Sequence, residues 1–324
     1  MSQPRADNGK ISWSACLELR TNMTFPKAES SQNAFPIVEA EPLIFRLGMG
    51  LQRKKIKGGF RLLSLARKAG LLNKLYRHHL SQEVALLIPL YRPDDALDGK
   101  GVDEYEAQVV QAFAKLVNKL TGKVVFLDCG ANIGLMSAKM CAACPNISRI
   151  VAYEPNLDVF DLLKKNISNL PVPAQARQAA VGNMQGTGSL KSPAHDPSSH
   201  ARFVEADSEG NIEVERLDSL DLEPGYSLAL KIDVEGHEWE VLKGAAKTIE
   251  QAQGFVISLE AHPKHFQRTQ RDPSLMLKWL TQFEGVVFRV SEKPNLKLDP
   301  ENPFFDQFSP DMVYNIICHS GLTG

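Results

Sequence analysis

No apolar run in the 324 residues approaches the roughly 20 that a membrane helix needs, so a spanning segment is not expected. Residues 1–20 lack the continuous apolar core of a secretory signal. Cysteine is sparse: there are five, an odd number widely scattered along the chain. A disulfide framework is therefore not expected, and a reducing, cytoplasmic setting is. Cys141 and Cys144 form the one close pair, but no second pair accompanies them and they sit in a helical pattern. Buried, inert thiols are expected there, ahead of a redox or zinc site. Net charge is −1, so no overall basic bias points to nucleic acid. The Gly-x-Gly-x-x-Gly turn of dinucleotide folds is missing, which disfavours a nicotinamide-dependent oxidoreductase. Internal repeats and low-complexity blocks are absent as well.

One local absence is informative. Between Glu41 and Glu83 there is no acid, while Arg46, Arg53, Lys54, Lys55, Lys57, Arg61, Arg67, Lys68, Lys74 and Arg77 all fall there. Leu62, Leu65, Ala66, Ala69, Leu72 and Tyr76 recur at helical spacing, predicting a segment apolar on one side and basic on the other. Three readings compete for residues 43–80: a solvated helix docked by its leucines, a peripheral contact with an anionic membrane, or a dock for an anionic substrate carrier. Gly48, Gly50, Gly58, Gly59 and Gly70 cut the segment into short pieces. Residues 1–40, polar and patternless, are expected to be a flexible tail.

The best-organised stretch runs from Val124 to Gly134. Four apolar residues predict a strand buried on both faces; Asp128, Gly130 and Gly134 follow, and residues 135–144 read as a helix. Glycines let backbone approach a ligand closely. An acid ahead of them would repel a pyrophosphate and suits a ligand with a cationic end, such as S-adenosylmethionine. Residues 149–153 predict the next strand, which places the Glu154 carboxylate 26 residues after Asp128, where a ribose diol would lie.

Residues 83–91 predict a strand and 104–120 a helix, after which strand and helix alternate: helix 159–167, strand 175–181, strand 228–233, strand 255–259, helix 275–283, strand 286–290 and strand 312–318. Residues 192–211 are polar and too long for a routine connection, so they read as a mobile lid or disorder. In an open α/β sheet ligands bind outside the C-terminal strand ends. Asp128, Glu154, Asp233, Glu235, His237, Glu260 and His262 all collect there, more ionisable groups than a sheet rim needs. His237 has an unperturbed pKa of about 6.5, suited to a general base. Asp233 or Glu235 alone would be explained by helix capping. Asp233, Glu260 and His262 could hold a divalent metal, ranked below acid–base roles.

Asp128-Cys-Gly-Ala-Asn-Ile-Gly134, Tyr153-Glu-Pro-Asn156, Ala180-Val-Gly182, Lys231-Ile-Asp-Val-Glu-Gly-His-Glu238 and Glu260-Ala-His-Pro263 together resemble the FkbM-type methyltransferases over about residues 105–263. The resemblance implies an α/β fold: a class I, Rossmann-like methyltransferase sheet, mostly parallel with an antiparallel C-terminal strand, occupying residues 104–324 behind a basic, mainly helical extension (41–103). It implies S-adenosyl-L-methionine as cofactor and a hydroxyl of a sugar, glycan or polyketide-type acceptor. By position, the turn with Asp128, Gly130, Asn132 and Gly134 would hold the methionine end, Glu154 the ribose, and Val181 to Asn183 the adenine border, with Asn156 and Asp233 also at the cofactor. Asp233, Glu235 and His237 would face the methyl group, with His237 the first choice of base and Asp233 the second. Cys129 and Asn183 depart from the usual pattern, and Asn183 stands where an acid is frequent at the adenine contact. The Asn/Asp-Pro-Pro-Tyr-like motif of nucleic-acid amino-methylating enzymes is absent after the fourth strand. A metal-assisted variant and a non-catalytic cofactor- or glycan-binding domain are the alternatives.

Overall fold

The computed structural model describes residues 35–54, 56, 58–92, 101–191, 203–293 and 296–322. The basic segment folds as β1 (Ile37–Val38), α1 (Leu43–Arg53), α2 (Gly59–Lys68), β2 (Leu75–His79) and β3 (Ala85–Pro89). The helical spacing that runs through Tyr76 does not persist as a helix. Gly70, at φ +72°, follows the last turn of α2, and Leu75–His79 instead pairs antiparallel with Ala85–Pro89. Ile37 and Val38, expected in the tail, add a parallel strand beside Leu75 and Tyr76. Most of the expected tail, residues 1–34, lies outside the described residues.

The main sheet follows. After α3 (Ala107–Val117) come β4 (Val124–Cys129), α4 (Leu135–Ala143), β5 (Ile147–Tyr153), α5 (Leu157–Ser168) and β6 (Ala174–Arg177). The predicted third strand divides at Gln178: Ala179–Val181 is β7, the first strand of a second sheet. That sheet also holds β8 (Gly186–Lys191), β9 (Phe203–Ala206) and β10 (Ile212–Glu215) in the order β7-β10-β8-β9. The lid-or-disorder expectation for 192–211 thus falls partly outside the described residues (192–202). Where the chain is described it is corrected, because Phe203–Ala206 pairs antiparallel with Gly186–Lys191.

The chain re-enters the main sheet as β11 (Ser227–Ile232), then α6 (Glu238–Gly244), α7 (Ala246–Glu250), β12 (Phe255–Ala261), α8 (Pro263–Thr269), α9 (Ser274–Leu280), β13 (Val287–Val290), α10 (Phe304–Gln307) and β14 (Tyr314–Ser320). Seven strands lie in the order β13-β14-β12-β11-β4-β5-β6. β4 pairs parallel with both β5 and β11, while β14 runs antiparallel to β12 and β13. This is the class I methyltransferase arrangement that the motifs implied.

Every residue of β4 and β11 is buried, as their unbroken apolar runs predict. Phe126 faces one core, with Phe113, Met136 and Leu163; Val125 and Leu127 face the other, with Val241, Leu242 and Leu277. The first core also takes Phe45, Met49 and Leu63 of the basic segment, so α1 and α2 pack into the same apolar body as the sheet. Asn166 of α5 locks β3 in place. Its amide accepts from Leu87 N–H at 2.8 Å and donates to Leu87 O at 3.1 Å and to Ile133 O at 2.7 Å, with 2% of the residue exposed. Replacing it with leucine would leave three buried backbone groups without that partner, at about 1–3 kcal/mol for an unsatisfied group. We expect Asn166→Leu to lower the urea midpoint by an amount equivalent to at least about 2 kcal/mol; an unchanged midpoint would show that the tie is not structural.

Candidate active site at the carboxyl ends of the parallel strands

β4 leads one way to β5 and β6, and β11 leads the other way to β12, so the rim between β4 and β11 is the switch point where ligands bind in such sheets. The turn after β4 is pressed against the turn after β11. Gly130 has φ +82°, and a Cβ there would overlap the carbonyl oxygen of Asp233. The Gly130 and Ala131 amides donate to Tyr153 O at 3.0 and 2.9 Å, tying the turn to the end of β5. Asn132 takes φ +51° and donates its amide to Glu154 Oε2 at 2.8 Å, while Asn156 N–H donates to Oε1 at 2.8 Å. Gly134, at φ +87°, caps α4 against Leu163.

Asp128 does not line this rim. It is fully enclosed, accepts from the Ser137 hydroxyl at 2.6 Å, and lies 4.0 Å from Lys231 Nζ. Burial pushes its pKa up, against the pull of Lys231. The acid expected to meet a cationic ligand thus sits beside a buried lysine, away from the open rim. Lys231 stands beside it in register on β11 and also donates to Asp233 Oδ2 at 2.9 Å. Burial alone would lower the Lys231 pKa, but Asp233, Asp128 and Glu106 together raise it and keep the ammonium charged. Glu106, held at φ +52° ahead of α3, is raised chiefly by burial. Lys231 and Glu106 were missed as site residues. The signal for the first was a cation inside the apolar run 228–232; Glu106 had none.

Beyond β11 the chain turns through Glu235 (φ +56°) and Gly236 (φ +96°). Glu235 Oε2 lies 2.8 Å from His265 Nε2, and its carbonyl accepts from the Arg268 guanidinium. His237 stacks on Phe203 at 6.1 Å and 17°, and its Nδ1 is buried without a hydrogen-bond partner. Burial lowers its pKa. Arg268 lies 3.9 Å over the other ring of that stack, Phe203. A shallow, open cleft lies next to this turn, lined among others by Glu238, Trp239, Glu260, His262, His265 and Phe266. His237 is not among its lining residues. Glu260 is pushed well above the usual carboxylate range by burial first, then by Asp233, Glu235 and Glu238. Val181 ends β7, buried, beside Gly182, whose amide donates to Glu215 O at 2.9 Å.

The trio Asp233, Glu260 and His262 does not form a metal site. Among the described residues no group of His, Cys, Asp or Glu converges to hold an ion. His262 Nδ1 accepts from Lys264 N–H at 3.1 Å, and burial first, then the charges of His265 and Lys264, pushes its pKa down to about 4. Neutral His262 must then carry its proton on Nε2 and act as a donor rather than a ligand. The Cys141 and Cys144 thiols are raised by burial, Cys144 to about 12, which is the inert state expected of them.

A nucleoside cofactor with a cationic end fits the rim: a glycine turn without room for a side chain, a carboxylate held by two amides at the end of β5, and the Asp233 carboxylate opposite. Glu154 also has a measurable signature. Burial first raises its pKa to about 7, with the two amides opposing. A folded-state pKa above the ordinary 4.5 means that its stabilising contribution is complete below about 4.5 and is lost as pH rises through about 7. Glu154→Gln should flatten the fall in Tm between those pH values; an identical pH profile would place the titration elsewhere.

The Methyltransferase FkbM domain model matches residues 128–290. The hexuronic acid methyltransferase AglP of Haloferax volcanii is 27% identical over 142 residues, which cover 42% of this chain and 56% of that protein. The matched stretch thus spans little more than half the length of this curated relative. Among solved structures, the M. jannaschii TYW2 complex with AdoMet aligns with TM-score 0.38 and 13% identity over 76% of this chain and 84% of that one. A SAM-dependent O-methyltransferase of Thermotoga maritima aligns with TM-score 0.36 and 13% identity over 74% and 75%. The matched domain takes in the glycine turn, the Glu154 rim and the whole turn after β11, and by it this chain belongs to the FkbM methyltransferases, enzymes that draw their methyl group from S-adenosylmethionine.

Proposed function

We propose that the chain methylates a hydroxyl oxygen of a sugar, glycan or polyketide-type acceptor, and that the cleft beside Glu260 receives that acceptor. The supporting observation is the cleft itself: carboxylates and an imidazole N–H for hydroxyl groups, with Trp239 and Phe266 for the apolar face of a ring. Its cation Arg271 is already paired with Glu240. The cleft is therefore richer in carboxylate than in free positive charge, which favours a neutral acceptor over a sugar acid. A relative whose name specifies hexuronic acid supports the sugar class and not that particular charge.

S-adenosylmethionine, when bound, supplies a methyl group on a positively charged sulfur. On this reading Gly130, Asn132 and Gly134 hold its methionine end, Glu154 and Asn156 its ribose, and Val181 borders its adenine. Asp128 acts through Lys231, which orients Asp233. The acceptor oxygen attacks the methyl carbon, the carbon–sulfur bond breaks with its electron pair going to sulfur, and the hydroxyl proton passes to a base. Alignment of oxygen, carbon and sulfur accounts for much of the rate. Glu260 suits the base better than His237 does, since it lines the cleft and its raised pKa makes its carboxylate a stronger base. Asp233 is weakened by its 2.9 Å pair with Lys231. His237, stacked on Phe203, and Glu235, paired with His265, shape the turn.

Calorimetric titration with S-adenosylhomocysteine should show micromolar binding that Glu154→Ala loses; absence of heat in both would remove the cofactor placement. With a methyl acceptor found by screening neutral sugars and their uronic acids, Glu260→Gln should lower kcat by about 10²–10⁴-fold and leave S-adenosylhomocysteine affinity unchanged. The rising limb of the rate against pH, set by ionisation of Glu260, should vanish with it. A larger loss in His237→Ala than in Glu260→Gln would restore the histidine as base.

A further inference from the structure

The basic segment is not used by the catalytic reading, and its surface has a definite pattern. On α1, Leu43, Arg46, Leu47 and Lys54 are all exposed, with Gly50 between them. At 3.6 residues per turn these positions fall within a stripe about 100° wide. The opposite side of the helix carries the buried Phe45, Gly48 and Met49. On α2, Arg61, Leu65 and Lys68 form a similar exposed stripe, opposite the buried Leu63, Ala66 and Arg67. The two helices cross where Gly48 and Gly59 leave room for each other, and both bury their inner faces in one core. Each exposed stripe lies opposite the face that its own helix buries. Leu43 is 70% exposed, Leu47 54%, Leu65 65% and Leu71 53%, a density of bare leucine that solvent does not favour. The sequence holds no acid between Glu41 and Glu83, although Glu39, outside that interval, pairs with Arg77.

We propose that this paired-helix face docks the protein on an anionic lipid bilayer. Leucines alternating with cations on short surface helices match a boundary that is apolar below and negatively charged at the headgroups. A nucleic acid would be recognised by the cations and would leave the leucines in water; a carrier with a phosphate alone would do the same. No described helix is long and apolar enough to cross the bilayer, so the association is with one leaflet. It places the methyltransferase at a membrane surface, where an acceptor anchored in lipid would be presented to it. The docking does not depend on which hydroxyl is methylated.

The test is sedimentation of the full chain with vesicles of phosphatidylcholine alone and of phosphatidylcholine mixed with phosphatidylglycerol. Binding is expected to the mixed vesicles only, and to weaken as salt rises. Arg61→Gln with Lys68→Gln should weaken partition by about fivefold per cation removed. Leu47→Ser with Leu65→Ser should weaken it by about tenfold. Both pairs should keep the wild-type Tm and S-adenosylhomocysteine affinity, which separates this face from the cofactor site. No sedimentation, equal sedimentation with neutral vesicles, or leucine variants that bind like wild type would each overturn the proposal. So would binding to duplex DNA that the leucine variants do not alter.

Discussion

A buried lysine sets the geometry of the site. Lys231 lies inside a fully buried strand whose other residues, Ser227 apart, are apolar, and an ammonium placed there without partners would be lost to solvent or to deprotonation. Asp128 on the neighbouring strand and Asp233 at the end of its own strand hold its charge. The converse matters equally. Burial raises the pKa of the fully enclosed Asp128, and Lys231 and the Ser137 hydroxyl oppose that rise. Removing one member of such a set leaves a charge stranded, which is why buried pairs are costly to break even where they add little net stability. The result is a rigid link between the ends of β4 and β11, with Asp233 presented at the rim.

Around that link the backbone does the remaining positioning. The Gly130 turn and the Asp233 turn touch through backbone, at a separation that no side chain could share. Tyr153 O and the Glu154 carboxylate then collect four amides from the turn and from the start of α5. A cofactor binding here would meet a surface already ordered by backbone hydrogen bonds, so little rearrangement is required.

The cleft proposed for the acceptor is built differently, from side chains. Asp233, Glu235, Glu238 and Glu260 crowd near one another, and their mutual repulsion and burial push Glu260 upward while His262 and His265 stack beside them. A carboxylate whose pKa is raised is a stronger base once ionised, which suits it to taking a hydroxyl proton. His237, by contrast, is directed away by the left-handed turn at Glu235 and Gly236 and packs on Phe203. The second sheet, through β9, supplies that ring and so helps to shape the acceptor side.

The sequence by itself determined the sheet and its rim. Largely apolar runs marked β4, β11 and β12, and acids and glycines marked the rim at their ends, because strand period and turn chemistry are local properties. The final strand was legible in the same way, whereas its antiparallel direction was what the resemblance implied. Only the tertiary structure decided the four-stranded sheet of β7 to β10, whose short strands carry little periodicity and gain their stability from partners distant in the chain. It also decided that Leu75–His79 is a strand, since pairing with Ala85–Pro89 outweighs a helical spacing of apolar residues. Which rim residues face a ligand was likewise not written locally. Asp128 is enclosed beside Lys231 on the neighbouring strand, and His237 packs on Phe203 after the positive-φ turn at Glu235 and Gly236, where alternation along the chain no longer predicts direction.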